Sequence, residues 1–326
     1  MTDANRSRPD ALSASNDNPF QEPGATDQDL SGKSGSYFPR RYLTDMFRFI
    51  EANNDKLSVN TYEDLEFPTL EDARLNYPSE YSHWTKKVKA DPAKARKAHI
   101  FLQYDIDSRP ERLHGLLKEE THAAVPANIM IFNRRIDRRH LKNTGVVRTT
   151  QYDLDEALLK SSQKRGFVIG YHTNAYELAG FDVERALKVF DEDMTALNTR
   201  FGVRFFSAHG GVPDQDGRNN NGLPYHPAWR KKAIWVHNGI SLRFAGSFSD
   251  GGHNSPARDP EGRDLRRLFE KMEPGRRYRI LLHPQYYDID FNISERFTGT
   301  AWYDDILAQH QRDPSDSLWK NVTLAF

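Results

Sequence analysis

The sequence predicts an α/β fold: a distorted (β/α)7-type barrel, preceded by a helical extension and a disordered tail. Three observations predict it. From residue 98 onward, short apolar runs alternate with segments of helical period. The runs are apolar throughout, which suits strands covered on both faces, as in parallel sheets. The helices between them turn each strand–helix–strand stretch into a crossover unit. An open doubly wound sheet is the alternative architecture.

Residues 1–37 are rich in Ser, Asp, Asn, Gly and Pro and poor in large apolar side chains, so they bury too little surface to offset their ordering entropy. Residues 38–97 read as a helical extension. "RRYLTDMFRFIEAN" (40–53) places Leu43, Met46, Phe47 and Ile50 on one stripe, and "TLEDARLNY" and "PAKARKA" suggest shorter helices. Residues 98–326 form the barrel domain. Its strand candidates are "HIFLQYD" (99–105), "ANIMIFN" (127–133), "GFVIGYH" (166–172), "VRFFSAH" (203–209), "AIWVHN" (233–238), "LRFAGSF" (242–248) and "RILLHP" (279–284). Asp153 with Glu156 makes a capping-box-like helix start that Gly166 can end. "DVERALKVFDEDMTALNTRFG" (182–202) carries Val183, Ala186, Leu187, Phe190, Met194 and Leu197 on one face and closes at Gly202.

Composition narrows the function. Apolar residues at 37% and aromatics at 12% supply a sizeable core. With 46 basic and 46 acidic side chains, no net field favours nucleic acid or an anionic membrane. "PGRRYR" (274–279) therefore reads as a solvated turn entering a strand. There is no cysteine, which excludes disulfides, thiolate catalysis and Cys-ligated metal. No stretch approaches the roughly 18 apolar residues of a membrane span, and the N-terminus shows no secretory h-region. A soluble, cytoplasmic protein is expected.

Chemistry concentrates at the C-terminal ends of the strands. The first ends in Asp105 and Asp107, one residue apart and hence on one face. The third ends in His172, the fourth in His209 and the last in His283. In α/β barrels that rim is where active sites are built. Two neighbouring carboxylates repel each other, and a cation relieves the repulsion; imidazole and carboxylate together suit Zn²⁺ or a similar divalent ion. Blander readings exist for each residue. Asp107 or Ser108 could cap a helix beginning near Pro110, with Arg109 as an ion-pair partner, and the histidines could serve as backbone hydrogen-bonders or turn residues. Asp250, in "SFSDGGHNSP", is placed to orient a catalytic histidine. His253 reads as a solvent-exposed loop residue, and His226 and His237 as structural. Trp235, Tyr286 and Tyr287 either stack on a sugar ring or fill the core. "RNNNG" (218–222) reads as a loop.

In this order and placement, "FLQYDID" with "RPER", "VIGYHTNAYE", "FFSAHGG" and "ILLHPQYYD" resemble the motif series of polysaccharide deacetylases, the chitooligosaccharide-deacetylase-like (β/α) barrels. More specifically they resemble a divergent branch linked to bacterial surface-polysaccharide synthesis. The resemblance spans residues 98–290 and rests on short motifs. It implies that Asp105 is the catalytic base, that Asp107 and His172 bind the metal, and that His283 is the catalytic acid. The family's second motif has another histidine four residues after the first, where this chain has Tyr176, and the usual Arg-Pro motif is replaced by "SAHGG". His209 is the candidate third ligand, with Glu177 as the alternative.

The expected function is removal of an N-acyl group, acetyl first, from an amino sugar in glycan or surface-polysaccharide biosynthesis. The cofactor would be a divalent metal, Zn²⁺ first. The substrate would be an N-acetylated sugar, nucleotide- or lipid-linked if it is met inside the cell, with no nucleic acid and no membrane span. A catalytically inactive carbohydrate-binding protein on the same barrel is the second reading, motivated by Tyr176 and "SAHGG". A glycoside hydrolase is a third; it needs two carboxyls roughly 5–9.5 Å apart and leaves the histidines unexplained.

Overall fold

Eight consecutive buried residues, Ala98–Asp105, form the strand around which the sheet is assembled. The computed structural model describes residues 36–65, 96–119, 124–137, 140, 143–144, 146–151, 153–211, 214, 216–225, 227–230, 233–236, 244–250, 264–293, 297–313 and 315–326. Along the chain the strands are β1 (Phe38–Pro39), β2 (Leu57–Asn60), β3 (Ala98–Asp105), β4 (Asn128–Ile131), β5 (Arg134–Ile136) and β6 (Thr149–Gln151). They continue with β7 (Val168–Thr173), β8 (Phe205–Ala208), β9 (Ile234–Trp235), β10 (Gly246–Ser249), β11 (Arg277–Leu282) and β12 (Tyr287–Asp288). The helices are α1 (Arg41–Ala52), α2 (Pro110–Leu117), α3 (Glu156–Lys164), α4 (Ala175–Leu178), α5 (Val183–Phe201), α6 (Pro227–Arg230), α7 (Leu265–Glu270) and α8 (Ala301–Arg312).

The main sheet runs β10-β11-β3-β4-β7-β8-β9, with every neighbouring pair parallel. Followed round, this is chain order, with the last strand returned beside the first. A doubly wound sheet reverses its order at a switch point, whereas a barrel does not. The strand order therefore decides for the barrel. Among the described residues no pairing joins β9 to β10, so the sheet curls into a partial barrel that is open at that seam.

Alternation along the strands sorts side chains to two faces. Ile100, Leu102 and Tyr104 on β3, Ile129 and Ile131 on β4, and Ile169 and Tyr171 on β7 belong to the large cluster shared with the helices. Phe101, Met130, Phe205 and Val236 belong to a second cluster on the opposite, interior face, plugged by Tyr62 and Leu65. By the same alternation Gln103, Asn128, Gly170, Ser207, Arg279, Asp105 and His172 share that face. Because all these strands are parallel, their C-terminal ends share one rim.

Helix ends show where local reading succeeded and where it slipped. Asp182 caps α5, accepting from the Arg185 N–H at 2.8 Å, and Gly202 ends the helix at φ 64°. Val183 and Leu187 are only partly buried, whereas Asp193 is wholly buried on the inner face. The cap of α3 is Asp155 rather than Asp153: its carboxylate accepts from the Leu158 N–H at 3.0 Å. At α2, Pro110 occupies the first turn, but neither Asp107 nor Ser108 caps it. Arg109, in the left-handed region at φ 52°, is the residue before the helix, and its side chain pairs with Glu111 at 2.8 Å.

Within residues 38–97, α1 forms as the apolar stripe predicts, but Leu57–Asn60 is a strand paired with the first half of β3, below the point where β4 pairs with the second half. The helices expected over 69–77 and 92–98 fall outside the described residues, except for 96–98, a turn entering β3. Of residues 1–37, only Ser36 and Tyr37 are described. Ser36 Oγ donates to the Gln285 carbonyl at 2.9 Å and Tyr37 N–H to the Tyr286 carbonyl at 2.8 Å. Among the described residues, no helix is long and apolar enough to cross a membrane.

Candidate metal centre

Five strand ends deliver the predicted side chains to one place. Asp105 is the last residue of β3, and Asp107 lies two further on, keeping the same face. His172 is the penultimate residue of β7. His209, His283 and Asp250 each follow directly on their strands, β8, β11 and β10. Asp107 is the hub. Its Oδ1 lies 3.1 Å from His172 Nε2 and 3.7 Å from His209 Nε2, and its Oδ2 lies 3.4 Å from His283 Nε2. Asp105 Oδ2 faces the same His172 nitrogen at 3.7 Å.

Each imidazole is aimed by a partner on its other side or by its backbone. His172 Nδ1 shares a 2.8 Å hydrogen bond with Ser207 Oγ on the neighbouring strand. That contact turns Nε2 toward the rim. His209 is anchored by its N–H to the Thr173 carbonyl at 2.9 Å. Phe132 packs against both rings, at 5.1 Å from His172 and 5.2 Å from His209. Asp250, wholly buried, holds His283 twice: it accepts from the backbone N–H at 2.7 Å and contacts ring Nδ1 at 2.5 Å.

Electrostatics follow from this crowding. Burial opposes ionisation of Asp107, but the imidazoles of His209, His283 and His172 outweigh it and hold the carboxyl well below the usual carboxylate range. Burial likewise opposes charge on His283. The Asp250 and Asp107 carboxylates overcome it and push the imidazole up to about 10. His172 is also raised, burial being outweighed by Asp105 and Asp107.

Asp107, His172 and His209 fit a divalent cation. One donor atom from each lies within 4.8 Å of the others. The separations of 3.1 and 3.7 Å bracket the roughly 3.4 Å expected between two ligands about 2.1 Å from a tetrahedral ion. Among the described residues, Asp107 Oδ1 is buried without a hydrogen bond of good geometry, although His172 Nε2 lies 3.1 Å away.

Other predicted residues fall elsewhere. Glu177 lies outside this cluster: a Cβ on Gly211 would meet Glu177 Oε2 at 3.1 Å and His209 Nδ1 at 3.5 Å. Tyr176 packs edge-on to Phe181 at 5.2 Å. Trp235 and Tyr287 are buried in the core, so neither stacks on a ligand. Tyr286 is half-buried, with its ring 5.5 Å from that of His283. Asn220 to Tyr225 form a short 3-10 helix that includes part of the expected 218–222 loop, and Asn220 Oδ1 accepts from the Glu177 N–H at 2.9 Å. His226, His237 and His253 lie outside the described residues. Sequence reasoning did not single out Ser207, Gln103 or Arg279, whose buried polar side chains line the interior below the rim.

No family profile and no curated protein matches the sequence. Solved structures do. A peptidoglycan deacetylase from Bacillus subtilis is 14% identical, with a TM-score of 0.35, over 68% of this chain and 87% of that one. A family 4 carbohydrate esterase from Streptococcus mutans is 11% identical, with a TM-score of 0.38, over 76% and 92%. A family 4 pseudoenzyme from Bacillus anthracis is 12% identical, with a TM-score of 0.34, over 68% and 62%.

Proposed function

We propose that the protein is a metal-dependent hydrolase that removes an N-acyl group, acetyl first, from an amino sugar in glycan biosynthesis. The single observation that carries this reading is the convergence of Asp107, His172 and His209 on one point, flanked by a free-facing carboxylate oxygen and a carboxylate-held imidazole. Asp107, His172 and His209 would hold the ion, with Zn²⁺ the first candidate from the donor set. When bound, such an ion polarises an amide carbonyl and makes water more acidic.

The remaining residues supply proton transfers. Asp105 presents Oδ2 to the site and accepts the proton of the attacking water as its oxygen bonds to the carbonyl carbon. Asp250 fixes one proton on Nδ1 and, with Asp107, pushes the imidazole up to about 10, so His283 carries a second proton on Nε2 and gives it to the nitrogen as the C–N bond breaks. The products are the carboxylic acid and the free amine. Two glycosidic carboxylates are not required, and the histidines that a glycoside hydrolase leaves idle all have work. Tyr286, beside His283, is placed to lie against a sugar ring.

Purified chain loaded with zinc and offered chitotetraose should release acetate, and a chelator should abolish the release reversibly. An ion-loaded chain that releases no acyl group from any of a panel of N-acetylated sugars, nucleotide-linked ones included, would leave the binding-protein reading in its place.

A further inference from the structure

Beneath Asp105 lies a run of buried polar groups that the hydrolysis described above leaves unused. Gln103, two residues earlier on β3 and so on the same face, is wholly buried, and its Nε2 donates to Asp105 Oδ1 at 2.6 Å. Its Oε1 accepts from the Tyr62 hydroxyl at 2.5 Å and from the Arg279 guanidinium at 3.1 and 3.3 Å. An amide nitrogen only donates and an amide oxygen only accepts. Flipping Gln103 would set its NH₂ against the Arg279 donors and its oxygen against the Asp105 carboxylate. Arg279 has nothing but donors to offer, so the amide has one orientation. Tyr62 is fixed in turn: its backbone N–H donates to Asn128 Oδ1 at 2.8 Å, and its ring lies 6.3 Å from Phe101 and 5.8 Å from Phe205. Burial pushes the Tyr62 hydroxyl up to about 12, so it remains a donor.

We infer that Gln103 is a positioning residue for Asp105, its amide locked by Arg279 and Tyr62 so that one carboxylate oxygen is tethered and the other is presented to the site. Two of the three supporting residues come from outside β3, one of them from the segment that precedes the barrel strands. The inference rests on the reading of Asp105 as proton acceptor.

The test uses the full zinc-loaded chain and acetate release from chitotetraose. Gln103→Glu keeps the shape and the acceptor facing Tyr62 and Arg279 but replaces the donor to Asp105 with a carboxylate oxygen that repels it; Gln103→Leu, uncharged, removes both ends. Each should lower kcat by about tenfold to a hundredfold, the scale of a misaimed catalytic group, with KM and zinc content unchanged. Neither should lower activity further in an Asp105→Asn background. Full kcat in Gln103→Glu, or the same fold loss in both backgrounds, overturns the inference. If the wild-type chain holds zinc but releases no acetate, the proton-acceptor reading fails. Crystals of Gln103→Leu then decide the positioning claim alone: an Asp105 carboxylate turned from its native rotamer supports it, and an unmoved carboxylate overturns it.

Discussion

At the scale of single residues, the site is built from side chains whose second contact matters as much as the first. Asp250 contributes no atom to the proposed ligand set, yet it fixes which nitrogen of His283 faces Asp107. Asp250→Asn should therefore cut kcat by about 10²–10⁴-fold, the usual range for a lost proton transfer, while zinc content stays at the wild-type value. Steady-state kinetics alongside metal analysis check both halves. Tyr176 occupies the position where the resembled family carries a histidine, but its ring is spent against Phe181. A histidine introduced by Tyr176→His should not restore zinc binding to His209→Ala; calorimetric recovery of affinity in the double variant would contradict the assignment of His209. The rim residues were legible because their types are chemically loaded and a two-residue period fixes their face. Gln103 and Arg279 were not: amides and arginines are common in strands, and these two stand 176 positions apart.

At the scale of elements, parallel neighbours force close packing across the sheet interior. Gly170 on β7 shows how close. A Cβ there would land on Met130 Sδ and lie 3.1 Å from the Phe205 carbonyl oxygen. Gly170→Ala should destabilise by about 1–3 kcal/mol, read as a lowered melting temperature, since the buried Met130 thioether must swing aside and the Phe205 carbonyl must yield to admit the methyl. The α5 helix carries a second buried feature. Asp193 accepts from Asn133 Nδ2 and the Tyr171 hydroxyl, each at 2.8 Å, and pairs with Arg134 at 2.9 Å. Burial nevertheless raises its carboxyl above the ordinary value of 3.8. A carboxyl raised in this way holds its proton more tightly folded than unfolded, so stability falls as pH rises from that ordinary value through the native one. Urea melts across this window should show wild type gaining on Asp193→Asn as pH is lowered; parallel curves would contradict the direction. The helical period exposed α5 but hid Asp193, because an acid on an apolar stripe reads as a lapse in the pattern until its three partners are seen.

At the scale of the molecule, chain order round the sheet and the return of β11 to β3 make all the strand ends converge. Alternating strands and helices predicted that much. They could not show that the residues before the barrel complete it. β1 pairs with β12, Trp319 Nε1 donates to the Tyr42 carbonyl at 2.9 Å, and Leu318 N–H donates to Asp45 at 2.9 Å. These partners are more than 240 residues apart, and a two-residue strand has no readable period. A chain starting at residue 66 would lose β2 from the flank of β3 and Tyr62 from the interior plug, and it should show no cooperative thermal transition by circular dichroism. The central claim remains that Asp107, His172 and His209 grip one divalent ion. Metal analysis of the full chain after zinc loading and desalting tests it most directly. One zinc per wild-type chain, absent from His172→Ala and Asp107→Ala of unchanged fold, is the predicted result; a wild-type chain holding no more zinc than those variants would contradict it.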